Sequence, residues 1–310
     1  MQIAILEDYS DAVRGLDCYA LLAGHDVRVY TDVADEAALA QRLAEVEALV
    51  LIRERTPVTE GLLALAPRLG WISQTGRLSG HVDLRACAAR GIQVLEGVGS
   101  PHAPAELTWA LVLAASRRVA LEAERLRAGR WHTTLGRTVR GKTLGVLGYG
   151  RIGRIVAGFG RAFGMDVLAW GQEGSRARAA ADGVAFAPTR ELVFETADVL
   201  TVHLRLSQQT RGCIGASDLE RMRADALFVN TSRAELVAPG ALVAALRARR
   251  PSFAAVDVYE EEPVLGGSHP LLSMDNALCT PHLGYAERDS YELYFGAAFE
   301  NLLRAAGRSA

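Results

Sequence analysis

The run Gly148-Tyr149-Gly150-Arg151-Ile152-Gly153 has the spacing G-x-G-x-x-G, and the chemistry this spacing serves is the holding of a pyrophosphate by main chain. The first glycine permits a tight turn, the second lets an anion approach the backbone, and the third packs helix on strand. A helix beginning at the turn aims unpaired N–H groups and the positive end of its dipole at the phosphates. Other residues able to do chemistry come directly after apolar runs: Arg53-Glu54-Arg55-Thr56, Gln74 to Gly80, Arg233 after Val229-Asn230-Thr231-Ser232, and His282 after Pro281. A guanidinium grips a carboxylate with two parallel bonds, and an imidazole carries protons near neutral pH. A loop arginine taken alone is more often simply solvated, and Glu260, Glu261 and Glu262 taken alone read as a solvated acidic run.

The elements that must position these residues are short apolar strands alternating with helices. Around the glycine turn, Thr143 to Leu147 has strand composition, an apolar helical pattern runs through Ile152, Val156, Phe159 and Phe163, and Asp166 to Trp170 is a second strand. Strand, turn, helix and strand within about thirty residues is the context that makes the motif informative. Residues 1–100 alternate in the same way, with strands expected at Ile3 to Glu7, Val27 to Tyr30, Leu49 to Ile52, Trp71 to Gln74 and Val94 to Glu96. Pro101 to Arg127 reads as one long connecting helix. Beyond the glycine unit, five more strand-like runs, from Val184 to Ala187 through to Ala277 to Thr280, bring the second sheet to about seven strands. Such alternation predicts α/β architecture with parallel sheets, whose ligands bind beyond the carboxyl ends of the strands. The helical tail, Glu287 to Ala306, is expected to return to the first domain, since the second sheet is already full.

Composition narrows the field. The 310 residues suffice for two domains, and half hydrophobic with 23% charged describes a globular chain. The net charge of -2 argues against a nucleic-acid partner, which favours a basic excess. MQIAILEDYSD carries no secretion signal, and no apolar run approaches the roughly 20 residues that span a bilayer. Cys18, Cys87, Cys213 and Cys279 are scattered, as reduced buried residues are, and suggest neither disulfide frame nor metal site. The expectation is a cytoplasmic protein without metal, membrane or nucleic acid.

Four segments in order, GYGRIG at 148–153, VNTSR at 229–233, AAVDVYEEEP at 254–263 and TPHLGY at 280–285, resemble the D-isomer-specific 2-hydroxyacid dehydrogenases, the family of phosphoglycerate dehydrogenases and glyoxylate/hydroxypyruvate reductases. The resemblance implies a Rossmann NAD(P)-binding domain, residues 101–284, inserted into a flavodoxin-like substrate domain, residues 1–100 completed by a C-terminal helix at 285–310. It implies an active site in the cleft between domains and a homodimer through the nucleotide domains. The implied reaction moves a hydride between NAD(P)H and C2 of a small 2-keto acid. By the same resemblance, Arg233 holds the substrate carboxylate, His282 gives and takes the proton, and Glu262 pairs with the imidazolium. Gly148, Gly150, Arg151, Ile152, Gly153, Thr231, Ser232 and Gly284 would contact the cofactor, with Asp257 receiving the nicotinamide amide N–H. Arg53, Gly76, Arg77 and Leu78 would meet the substrate.

Two departures bear on specificity. Where NAD-binding members carry an aspartate at the end of the second strand, this chain has Gly171, followed by Gln172-Glu173-Gly174-Ser175-Arg176-Ala177-Arg178. Ser175 and Arg176 would suit a 2′-phosphate and so NADP; Glu173 could instead reach the ribose and preserve NAD. In TGRLSGHVD, Thr75 to Asp83, Gly80 and His81 stand at the acid and asparagine positions of the family pattern, and Arg77 replaces a small residue. Phosphoglycerate, formate and phosphite dehydrogenases are the alternatives among enzymes; outside them, an NAD(H)-sensing corepressor-like protein without turnover is the alternative.

Overall fold

The computed structural model describes residues 1–307, which divide into two compact units, Met1–Ser100 with the chain from Ala286 onward, and Pro101–Tyr285. In the first, β1 (Gln2–Ile5), β2 (Asp26–Val29), α1 (Glu36–Leu43), β3 (Ala48–Leu51), α2 (Glu60–Ala64), β4 (Trp71–Gln74), α3 (Leu84–Ala89) and β5 (Gln93–Leu95) succeed one another. All five strands are parallel, in the order β2-β1-β3-β4-β5, the doubly wound order of flavodoxin-like domains. Leu49, Leu51 and Ile72 face a core shared with Leu43, Leu62, Leu63 and Cys87 of the covering helices. Helix starts are set by side chains: Asp35, Thr59 and Asp83 each accept a backbone N–H of the turn they open.

The second unit begins with α4 (His102–Ser116) and α5 (Val119–Arg127), then β6 (Thr143–Leu147), α6 (Arg151–Ala162), β7 (Asp166–Trp170), α7 (Glu173–Ala181) and β8 (Ala185–Phe186). It continues through α8 (Arg190–Thr196), β9 (Val199–Val202), α9 (Ala216–Arg221), β10 (Leu227–Asn230), α10 (Ala241–Arg247), β11 (Phe253–Val256) and β12 (Ala277–Cys279). The seven parallel strands run β12-β11-β10-β9-β6-β7-β8, so the winding reverses between β6 and β9, the switch point at which Rossmann sheets bind dinucleotides. Successive residues feed opposite faces: Phe228 packs with Phe194, Leu219 and Leu246, while Leu227 and Val229 pack with Trp109, Val112 and Val156. Burial on both faces explains why these strands are continuous apolar runs without alternation. α11 (Arg288–Ala305) then returns to the first unit, where Ser73 Oγ donates to Ala298 O at 2.7 Å and Glu292 accepts the N–H groups of Asp17 and Cys18.

The expected single helix from Pro101 to Arg127 is two. Arg117 closes α4 and Arg118 takes a left-handed φ of 56° before α5 opens. The apolar stripe of α4 is buried as far as Ala115, whereas α5 buries no residue, so nothing holds the second half on the first half's axis. Arg118 is compensated by its guanidinium, 3.8 Å from the centre of the Phe253 ring.

Candidate active site

In register, Trp170, Leu147, Val202, Asn230, Val256 and Cys279 lie side by side, each at or next to the end of its strand. The loops that leave these six positions therefore emerge along one edge of the sheet. After Leu147 comes the glycine turn. Gly148 has φ +98°, and a Cβ there would come within 2.5 Å of His203 O. At Gly153 a Cβ would run into the Gly148 carbonyl, while at Gly150 nothing stands within 4 Å. The turn is thus closed behind and open in front. Gly150 caps α6 without a side chain, which leaves the first N–H groups, including those of Arg151 and Ile152, to an incoming anion. These residues fit a dinucleotide's pyrophosphate. Tyr149, between the glycines, is buried and donates to Asp182 at 3.0 Å; burial and that carboxylate push its phenol up to about 12.

At the end of β10, Asn230 organises the next loop: its Oδ1 accepts the Ser232 N–H at 3.0 Å and its Nδ2 donates to Arg233 O at 2.9 Å. Arg233, half-buried, donates from Nη1 to Ser232 O. Beyond β12, His282 stands in a left-handed conformation, φ 52°, strained for any residue with a Cβ. Its Nδ1 donates to Glu262 Oε2 at 2.6 Å, and Glu262 Oε1 accepts the Tyr259 N–H at 2.9 Å. With Nδ1 committed to the carboxylate, Nε2 is the nitrogen left for substrate chemistry. Tyr259 also donates its hydroxyl to Thr280 O at 3.0 Å, which ties the loop of the glutamate to that of the histidine. Arg233, Glu262 and His282 are thus carried on loops of three neighbouring strands. Tyr259 and Asn230 complete this arrangement. Neither was indicated by residue type, because both act through loop contacts that only the fold creates.

The residues expected at the cofactor are held by their own loops. Asp257 has no exposed surface, and its oxygens accept from Thr280 Oγ1 at 2.6 Å, Leu283 N at 2.8 Å and Gly284 N at 2.9 Å. It anchors the turn on both sides of His282. Burial pushes its carboxyl up, with those donors and the nearby His282 acting in the opposite direction. Gly284, expected at the cofactor, gives its N–H to Asp257. Thr231 bonds Thr108 at 2.7 Å and Ser232 donates to Val202 O at 2.7 Å. Ser175 is buried, and the Arg176 guanidinium lies 4.7 Å from the centre of the Phe186 ring. The arginine at the glycine turn is Arg178, whose Nε donates to Tyr149 O at 2.9 Å. Ser175 and Arg178, three apart, share a helix face, and that spacing was the available signal.

In the first unit, Arg53 has φ 53°, its carbonyl accepts from Gln74 Nε2 at 2.9 Å, and its guanidinium occupies the space where a Cβ on Gly76 would stand. Arg77 is exposed. Leu78 N–H donates to Glu96 Oε1 at 2.8 Å, so it is not a free donor for a substrate carboxylate as expected. Among the described residues, no group of three or more His, Cys, Asp or Glu could hold a metal ion, and no helix is long and apolar enough to cross a membrane.

Residues 109–284 match the model of the NAD binding domain of D-isomer specific 2-hydroxyacid dehydrogenases. A glyoxylate reductase of Aeropyrum pernix is 41% identical over 254 residues, covering 78% of this chain and 75% of that protein. A D-3-phosphoglycerate dehydrogenase of Archaeoglobus fulgidus is 33% identical over 293 residues, covering 94% of this chain and 54% of that protein; the chain spans about half the length of the phosphoglycerate dehydrogenases it matches. The solved structure of a phosphoglycerate oxidoreductase from Vibrio cholerae O395 superposes with a TM-score of 0.96 at 54% identity, covering 99% of both chains.

Proposed function

The chain belongs to the D-isomer specific 2-hydroxyacid dehydrogenase family, oxidoreductases that work with NAD or NADP on small keto acids, and from that premise we propose how its own residues carry the reaction. Arg233 grips the carboxylate of a 2-keto acid and fixes the direction of its carbonyl. His282 Nε2–H lies on the outward side of the ring and passes its proton to the oxygen at C2 as negative charge develops there; in the reverse direction the same nitrogen takes the hydroxyl proton back. Glu262 keeps Nδ1 protonated and stabilises the imidazolium. A bound NAD(P)H supplies the hydride. Gly148, Gly150, Arg151, Ile152 and Gly153 hold the pyrophosphate, and Asp257 fixes the histidine's turn.

The observation that carries this reading is the 2.6 Å His282–Glu262 pair on the same sheet edge as Arg233 and the open glycine turn. Arg53, Gly76 and Arg77 form the substrate contribution of a domain made from 1–100 and the returning helix, with 101–284 as the cofactor domain. The chain works as a cytoplasmic homodimer joined through its nucleotide domains. Support for the dimer comes from four large apolar residues exposed within one short stretch, Val119, Leu126, Trp131 and Leu135, the last two 83% and 84% exposed. Glyoxylate, named for one relative, is the first substrate to test. Mixed with reduced cofactor and the protein, it should be consumed with loss of the reduced nicotinamide's absorbance. His282→Ala should lower turnover by about 10²–10⁴-fold while cofactor binding persists. Near-normal turnover in that variant would remove His282 from the mechanism.

A further inference from the structure

We propose that Arg178 reads the 2′ position of the cofactor's adenosine ribose and that the chain takes NADP(H) in preference to NAD(H). This rests on the dehydrogenase reading and goes beyond it by choosing between two cofactors. A carboxylate at the end of the second Rossmann strand would bond both ribose hydroxyls and repel a 2′-phosphate. Here β7 ends at Trp170 and Gly171 comes next; a Cβ at that position would lie 2.7 Å from Ser175 Oγ and 3.0 Å from Ser175 Cβ. The buried Ser175 therefore fills the place an acidic side chain would need.

The same serine helps to hold a cation. Arg178 donates from Nε to Tyr149 O at 2.9 Å and from Nη2 to Ser175 Oγ at 3.2 Å. These bonds pin the guanidinium to the residue between the first two glycines of the turn. Nη1 carries neither bond and lies where Gly174 leaves room, since a Cβ on Gly174 would approach it to 2.9 Å. The neighbouring arginines are otherwise engaged: Arg154 gives two bonds, 2.7 and 2.8 Å, to Asp182, and Arg176 is stacked on Phe186. A guanidinium held by two of its nitrogens, with the third open, is preorganised for a phosphate and loses little freedom on binding it.

Titration calorimetry with 2′,5′-ADP and 5′-AMP tests this without turnover, because the two probes differ only in the 2′-phosphate. The expected result is about thirtyfold tighter binding of 2′,5′-ADP, the scale of one or two charge-assisted bonds. Arg178→Gln should abolish most of that ratio, Arg178→Lys should keep part of it, and Arg176→Gln should leave it intact. The ratio of kcat/KM for NADPH over NADH should track the same order. Equal or tighter binding of 5′-AMP by the natural chain would overturn the proposal and favour Glu173 at the ribose. An Arg178→Gln variant that weakens both nucleotides alike would overturn it too, leaving Arg178 a brace of the turn. In either case NADH-dependent reduction would survive; if instead neither nucleotide bound and neither cofactor was oxidised with a 2-keto acid, the dehydrogenase reading itself would fall.

Discussion

Three donors converge on the Asp257 carboxylate, and they come from the residues flanking His282. Removing the acceptor strands them in a buried place, so Asp257→Ala should cost about 2–4 kcal/mol of stability, read from urea unfolding. It should also lower turnover, because His282 would be released from its left-handed conformation; unchanged turnover would show that the clamp does not position the ring. His203 carries a different consequence. Burial drives its imidazole down to about 3 from an ordinary 6.5, so in the folded chain it stays neutral while the unfolded chain takes up a proton. The stability this contributes is complete above 6.5 and is lost as the pH falls toward 3. Urea midpoints should drop between about pH 7 and about pH 5, and His203→Asn should flatten that drop. Arg233, His282 and Glu262 were legible in the sequence because their types and order match a family pattern. The bonds Asp257 makes within its own loop were not, since they depend on how the chain folds back after β12. Arg176 stands out ahead of Arg178 in the sequence for the same reason: adjacency along the chain says nothing of which arginine a phenylalanine has already claimed.

Among the elements, the glycine turn is the one whose sequence is most tightly dictated by shape. Gly153 faces the Gly148 carbonyl and Val146, so Gly153→Ala must part α6 from β6 or distort the turn. We expect loss of measurable dinucleotide binding in calorimetry, together with a stability loss of about 1–3 kcal/mol from overpacking; normal binding would mean that the helix can shift without consequence. The strands were legible almost to the residue because parallel strands buried on both faces are unbroken apolar runs, as in Ala48–Leu51 and Phe253–Val256. Less was readable where local signals are short or absent. α2 is a five-residue helix capped by Thr59, too brief for a period to register. The break at Arg118 has neither glycine nor proline to mark it, and its cause is the end of a packing partner, which lies outside the segment itself.

At the scale of the molecule, the exposed apolar stretch from Val119 to Leu135 sets the test of assembly. Replacing Trp131 and Leu135 together by serine should turn a dimer into a monomer by light scattering, with the unfolding of each subunit's Rossmann sheet otherwise preserved; a natural chain that is already monomeric would discard the homodimer. The other large-scale feature is that the first unit recruits its last helix from the far end of the chain, with Phe295, Phe299 and Leu302 buried and Ala298 bonded to Ser73. On the ribosome, then, the first hundred residues leave the exit tunnel long before the helix that must seal their sheet has been translated. The nucleotide-binding unit, continuous in sequence, can close first, while the earlier-made unit waits with apolar strands open to chaperones. Limited proteolysis of a released chain truncated after Tyr285 should cut the amino-terminal unit and spare the later-made one.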